Sequence, residues 1–441
     1  MPKALKSVAR EDFESPPSGV WRYRALLPEV PSEQIVTLGE GATPLLPSGR
    51  LGDELSLRSL FLKDETRNPT GSFMDRGATL LVSLALSAGV VSCSCMTTGN
   101  LGASLSAYCA KAGIASQVRI SPTTDQGKLY QMIAFGAEVG VSSAPLTVER
   151  SSRRVLEVDA ANPYFLEGEK TTCLEVVQEM KWAPPDAIVL PIGTGGHLTM
   201  VWRALEQLKE AGLTEGGQTR LIGARMAGAT SRERPPNSRK TRGDPSNLTE
   251  LEESDPILLE EAKRSVRASG GTTIDVTADE TIRATSLLAR SEGIFAEPAS
   301  ASAVACLHSA RKVGALDRDE TVVCVITGAG LKDTRVVSRI ARAARSLPVR
   351  GAEPAPSQVG ETKMTILRLL GRPGFGYDLW KELSSTRSIT TASIYQHLEE
   401  LEALQLVSRV GVTTVKGRNR VLYERTGKGS DFLKMAGKIG A

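Results

Sequence analysis

The chain has 441 residues, 41% hydrophobic and 4% aromatic, with 54 Lys/Arg against 50 Asp/Glu. At about 100–200 residues per domain this length holds two to four domains, and a charged fraction of 24% argues against wholesale disorder. No apolar run reaches the roughly 18 residues of a membrane span, the basic N-terminus lacks the apolar segment of a secretory leader, and the six cysteines (Cys93, Cys95, Cys109, Cys173, Cys306, Cys324) form no CxxC pair. The expectation is a cytoplasmic protein with reduced thiols, no membrane partner and no metal site.

From about residue 30 to 345, short apolar β-type runs alternate with helical patterns. Residues 68–77 (NPTGSFMDRG) read as a turn and then a helix through Leu86, with Ser72 as its N-cap. Residues 90–96 form an apolar strand, TTGNLG follows at 97–102, and 103–112 look helical. Strand 187–192 (AIVLPI) runs into the loop Gly193-Thr194-Gly195-Gly196 ahead of helix 198–208, and strand 321–327 runs into TGAG at 327–330. Continuous apolar strands that end in glycine loops suggest a parallel α/β sheet covered on both faces. Ligands on such sheets sit at the carboxyl ends of the strands. A loop of glycines and hydroxyls before a helix offers free main-chain N–H groups to a carboxylate or phosphate, and three such loops point to a phosphorylated small molecule. His197, beside the second loop, reads either as a cap of the following helix or as a ligand contact.

Two stretches lack any core-facing pattern: 230–247, basic and Pro-rich, reads as a surface loop, and 346–358 (SLPVRGAEPAPSQ) as a linker. The expected domains are therefore 1–345, a linker at 346–360, and 361–436. From residue 361 onward there are 13 Lys/Arg against 8 Asp/Glu, leaving 41 against 42 in the rest. The basic excess sits in the tail, which hints at nucleic acid for that module alone. The tail reads as helix 361–370, a second helix within 371–383, a third over 391–404 with Ile394, Leu398 and Leu401 on one side, then a two-strand hairpin, 406–413 and 421–424, around a basic turn.

GEGATPL (39–45), LKDETRNPTGSFMDRG (62–77), TTGNLGASLSAYCAKAG (97–113), NPYFLEGEKT (162–171), GTGG (193–196), EGIFAEPASASA (292–303) and TGAGLKD (327–333) resemble, in order, the blocks of threonine synthase, from about residue 20 to 340. The resemblance implies a two-lobed tryptophan-synthase-β-like (type II) α/β fold and pyridoxal 5'-phosphate as cofactor. It puts Gly193, Thr194, Gly195 and Gly196 at the cofactor phosphate, Asn100 at the phenolic oxygen and Thr327 at the pyridine nitrogen. Ser72, Thr98, Gly99 and Lys128 would lie at the substrate, Thr98 and Gly99 on its carboxylate. A neutral hydroxyl on the pyridine nitrogen moderates the ring as an electron sink, which suits replacement or elimination chemistry.

One position departs from the family. Where the resemblance places the lysine that forms the Schiff base, this chain has Met74. A thioether has no amine for the covalent bond or for proton shuttling. Lys63 and Lys128 match other family lysines and are not evident substitutes. Phe165 stands where relatives often carry Arg, Thr194 where they often carry Asn, and Arg225-Met226-Ala227 replace a polar stretch. The expectation is a catalytically impaired ligand-binding regulator, with pyridoxal phosphate non-covalent at best. The alternative is an active threonine synthase or related phosphate-eliminating lyase.

GYDLWKEL, SIYQHLEELEALQLV and GRNRVLYERTGKG resemble a PadR-like winged helix. That resemblance implies double-stranded DNA as partner, with Thr391, Ser393 and Gln396 of the third helix toward bases and Lys416, Arg418 and Arg420 of the wing on phosphates. Glu399, Glu400 and Glu402 make the same helix acidic at its end, which suits dimerisation instead. A homodimer is the expected assembly.

Overall fold

A computed structural model describes residues 7–14, 18–97, 99–121, 124–141, 154–214, 217–227, 258–333, 336, 360–385, 389–415 and 418–439. Packing divides the chain into Met1–Ser338 and Arg339–Ala441. The expected loop at 230–247 and the linker stretch 346–358 lie outside the described residues, as do Thr98 and Lys416.

The first unit is built on strands β1 (Leu45–Pro47), β2 (Ser59–Asp64), β3 (Ser92–Thr97), β4 (Ala115–Ile120), β5 (Glu138–Val141), β6 (Val155–Val158), β7 (Ala187–Pro191), β8 (Arg220–Met226), β9 (Thr272–Val276) and β10 (Thr321–Ile326). A large sheet runs β1-β2-β10-β7-β8-β9, parallel except where β1 meets β2. A small sheet runs β5-β4-β3-β6 and is parallel throughout. The continuous apolar runs are the central strands of the large sheet: Ile188, Val189 and Leu190 of β7 and Val323 and Val325 of β10 are fully buried. Helices Thr171–Glu179, Gly196–Glu210 and Leu259–Ala268 close one core over that sheet. Helices Met74–Ser87 and Asn100–Ala112 close a second over β3 and β4.

A buried ionic network fixes where the Met74–Ser87 helix begins. Arg76 reaches Glu65 at 2.6 Å and Glu175 at 2.7 Å, and Lys63 of β2 reaches Glu175 at 3.0 Å. Burial alone would raise the Glu175 carboxyl; Arg76 and Lys63 outweigh burial and hold it well below the usual carboxylate range. Thr43 closes the set, accepting from Arg76 Nη2 at 3.1 Å and donating to Glu65 at 2.7 Å. All six cysteines are free thiols buried in this unit, and burial pushes Cys95 and Cys306 up to about 12.

The second unit has helices Glu361–Leu369, Gly376–Leu383 and Thr391–Ala403, then strands β11 (Gly374–Phe375), β12 (Val407–Val415) and β13 (Arg418–Arg425) in the order β11-β13-β12. A closing helix, Gly427–Ile439, follows. Ile366, Leu379, Ile394, Leu398, Leu401 and Phe432 share one core. Sequence periodicity gave the three helices and the hairpin but not the closing helix, whose glycines at 427, 429 and 437 obscure its pattern. Among the described residues no helix is long and apolar enough to cross a membrane.

Candidate functional site

The segments at the carboxyl ends of the strands are joined to one another by main-chain hydrogen bonds. Phe73 N–H donates to the Thr327 carbonyl at 3.0 Å, and Ala329 N–H to that of Gly71 at 2.9 Å. Glu297 N–H donates to the Gly328 carbonyl at 2.9 Å and Gly330 N–H to that of Phe295 at 2.8 Å. The turn at 68–73, the 295–297 segment and the TGAG loop are thus held together, with Thr327 where β10 ends.

The regular helix is counted from Met74, but Phe73 before it already has helical φ/ψ, and the Ser72 hydroxyl accepts from Met74 N–H at 3.3 Å, the bond a capping serine makes. Met74 is half-buried and packs on the small-sheet core, the cluster that holds the fully buried Phe165. Asp75 accepts from Thr70 N–H and Thr70 Oγ1 at 2.7 Å, and burial pushes its carboxyl up to about 6.

Asn100 opens the Asn100–Ala112 helix, three residues earlier than the sequence pattern suggested. Its Nδ2 donates to Glu297 Oε2 at 2.9 Å, and its Oδ1 accepts from Lys332 Nζ at 2.6 Å. Lys128 stands 3.3 Å from Glu297 Oε1. Gly99 precedes Asn100 with its N–H donated to Thr97 Oγ1 at 3.0 Å. Sequence reasoning named Asn100 and Lys128 but missed Glu297 and Lys332, whose only advance signal was their place in EPASASA and TGAGLKD. Lys63, by contrast, is fully buried against the Thr43 carbonyl, Glu175 and Glu179.

The 193–196 loop leads into the 15-residue helix Gly196–Glu210. Gly195 sits at φ +92°, and a Cβ there would come within 2.5 Å of the Leu258 carbonyl oxygen; one at Gly196 would meet the Leu166 side chain at 2.6 Å. These glycines therefore already answer to the chain's own packing. Thr194 Oγ1 accepts from Gly196 N–H at 3.3 Å. His197 does not cap the helix. Its ring stacks on Phe73 with centroids 4.2 Å apart, and Nε2 lies 3.2 Å from Thr172 Oγ1. Burial pushes it down to about 4, so it is neutral near pH 7, and its buried Nδ1 has no hydrogen-bond partner.

Tested against the cofactor that the resemblance implies, the residues present fit in kind at several points and fail at one. The partnerless His197 Nδ1 and the start of a long helix suit a phosphate. Asn100 has an amide, here bonded to Glu297 and Lys332, and Thr327 a hydroxyl. Position 74 offers a thioether, which cannot carry the covalent attachment.

On the third helix of the second unit, Thr391 and Ser393 are half-buried and Gln396 is exposed. Ser393 Oγ lies 3.4 Å from His397 Nε2, and Gln396 Nε2 donates to Glu400 at 3.2 Å. Glu400 also pairs with Lys363 at 2.6 Å, which answers the acid at this end of the helix. Arg420 lies over the Tyr377 ring, 5.1 Å from its centroid. Arg418 begins β13.

Residues 36–328 match the family described as pyridoxal-phosphate dependent enzyme, and 366–435 the transcriptional regulator PadR-like family. The threonine synthase of Methanocaldococcus jannaschii is 35% identical over 339 residues, covering 74% of this chain and 84% of that one. The threonine synthase of Synechocystis sp. is 37% identical over 325 residues, covering 70% and 82%. Among solved structures, maize serine racemase superposes with a TM-score of 0.54 at 18% identity over 69% of this chain and 93% of its own. A pyridoxal 5'-phosphate-dependent aspartate racemase gives 0.52 at 21% over 65% and 90%. These two likenesses speak for the fold alone.

Proposed function

We propose, from the premise that the chain belongs to the pyridoxal-phosphate-dependent enzyme family as a threonine synthase relative with a PadR-like domain behind it, that it is a catalytically impaired, ligand-binding regulator. Its ligand is pyridoxal phosphate held without a covalent tether, or a small phosphorylated amino acid. Its output is double-stranded DNA at the winged helix, and it works as a cytoplasmic homodimer. The observation that carries this reading is Met74. The first residue of the Met74–Ser87 helix packs into an apolar cluster with Phe165, and Lys63 is spent in an ionic network. The cofactor, when bound, supplies an electron sink for bond changes at an amino acid's α-carbon. Gly193–Gly196 and His197 would hold its phosphate, Asn100 and Thr327 its ring, and Ser72, Gly99 and Lys128 the ligand's polar groups. Met74 can neither take nor return a proton, and loss of a general acid–base group costs typically 10²–10⁴-fold in rate.

The test is pyridoxal phosphate uptake by the purified chain. Reversible binding, with no lysine fixed by borohydride, is expected. A lysine labelled in stoichiometric yield, or threonine made from homoserine phosphate at ordinary enzymatic rates, would overturn the reading. Met74→Lys is expected to gain the covalent attachment and the near-visible colour that goes with it.

A second reading, an active lyase, draws on one observation: the Lys332 amine touches Asn100. Peptide mapping after borohydride separates the two readings, since label on Lys332 would favour the second.

A further inference from the structure

Asn100 and Lys128 sit on helices that follow β3 and β4 of the small sheet, whereas Lys332 follows β10 of the large sheet and Glu297 caps the helix Pro298–Lys312. These four side chains meet at one point. Lys128 and Lys332 lie 3.3 and 3.8 Å from Glu297 Oε1, and Asn100 bridges the carboxylate and the Lys332 amine. Their exposures are 3% for Lys128, 5% for Lys332 and 2% for Glu297. Taking such ions out of water costs several kcal/mol each, so a pair of buried ammonium groups is an expensive way to hold two loops together. Three helix starts add positive potential here: Asn100 begins one helix, Lys128 lies in the first turn of Gln126–Ala134, and Glu297 caps the third. Asp125 and Asp333 share this neighbourhood: burial, with Asp125 and Glu297, raises the Asp333 carboxyl and Lys128 opposes that rise, and the two carboxylates also accept main-chain N–H groups, from Gly127 at 2.9 Å and Val336 at 3.1 Å. A Cβ at Gly328 would come within 2.9 Å of Glu297 Oε2 and 3.8 Å of Asn100 Nδ2, so the loop keeps side-chain atoms off the pair. In the first turn of the helix that Glu297 caps, the fully buried Ser300 hydroxyl has no hydrogen-bond partner.

We propose that Lys128, Lys332 and Asn100 form an anion subsite whose resident is Glu297. A small ligand's phosphate or carboxylate takes the place of that carboxylate, and the exchange releases the Asn100–Glu297 and Lys128–Glu297 contacts between the two lobes. Ligand occupancy and the interlobe latch therefore compete, which gives the ligand a way to change the shape of the first unit. The inference rests on the ligand-binding half of the proposal above and is independent of its DNA half.

The experiment titrates the intact chain with inorganic phosphate and with acetate by calorimetry. Glu297→Gln removes the resident charge while keeping shape and hydrogen bonding to Asn100; it is expected to tighten anion binding about tenfold or more. Lys332→Gln is expected to weaken it by a similar factor, and Lys332→Arg to retain it. Preference for phosphate over acetate identifies a phosphate monoester as the ligand class, and the reverse a carboxylate. One arm needs no substitution: at matched ionic strength, the preferred anion should raise the wild-type melting temperature above its value in chloride. Affinity unchanged or weakened in Glu297→Gln, or equal melting in all three salts, overturns the subsite. A Glu297→Gln chain that binds phosphate tightly but takes up no pyridoxal phosphate leaves the subsite standing and counts against the cofactor. Pyridoxal phosphate uptake without the Glu297→Gln effect does the opposite.

Discussion

The first unit keeps ion pairs in its core as well as on its surface, and the second has only the latter kind among the described residues. In the first, Arg76, Lys63, Lys128 and Lys332 are buried among carboxylates, several with contacts under 3.4 Å. In the second, the ion pairs Lys363–Glu400, Arg409–Glu402 and Arg420–Asp378 keep one or both partners well exposed to solvent. Salt screens exposed pairs strongly and buried ones little, over a Debye length of about 8–10 Å near physiological strength. Ionic strength should therefore act on what the second unit binds and leave the framework of the first almost untouched.

The largest effect that would break this contrast is at Arg76. Arg76→Met leaves Glu65 and Glu175 buried without their main partner and is expected to cost about 3–5 kcal/mol, read from urea unfolding of the first unit. A loss below about 1 kcal/mol would make the network as dispensable as a surface pair. The same network sets an acid limit. Burial raises both carboxyls, yet Arg76 holds Glu65 and Glu175 below their unfolded value of 4.5, so the folded state gives up that stability as pH falls below about 4.5. Melting temperature followed downward from pH 6 should drop there, and should drop less steeply in Arg76→Met.

Next in size is the wing. Changing Lys416, Arg418 and Arg420 together to Ala is expected to weaken duplex DNA binding by about 10–100-fold near physiological salt and to flatten the salt dependence by about three charges. Binding indifferent both to salt and to these changes would sink the regulator reading. Thr390 caps the Thr391–Ala403 helix, its hydroxyl accepting from Ser393 N–H at 3.2 Å. Thr390→Ala should cost about 1 kcal/mol of second-unit stability by thermal melting. Smallest of all, Lys363→Ala should change it by at most about 1 kcal/mol, and less as salt is raised.

Strands β7 and β10 were legible because a strand covered on both faces must be apolar without a break, and each ends in a glycine loop. Strands β5 and β6 escaped notice, being four residues each and polar in part, as at Glu138 and Glu157. Met74 and Asn100 could be placed through the family resemblance of the short blocks that hold them, which are local stretches of sequence. The meeting of Glu297 and Lys332 with Asn100 could not, since they lie 197 and 232 positions from it, and only the fold brings them together. Of the two readings of His197 the helix cap failed for a related reason: its partners, Phe73 and Thr172, come from other parts of the chain. The glycine loop taught a further lesson, because its glycines serve contacts with Leu258 and Leu166 that no motif reveals.

The distribution of thiols gives the molecule a built-in gauge. All six are shut away in residues 93–324, and none lies in the winged helix. A water-soluble thiol reagent should find nothing to react with in the intact fold and six groups once the first unit opens, while opening of the second unit alone adds none. Colour development would thus time the loosening of one half of the chain without interference from the other, and a single cysteine placed on the wing would carry a dye to that half alone.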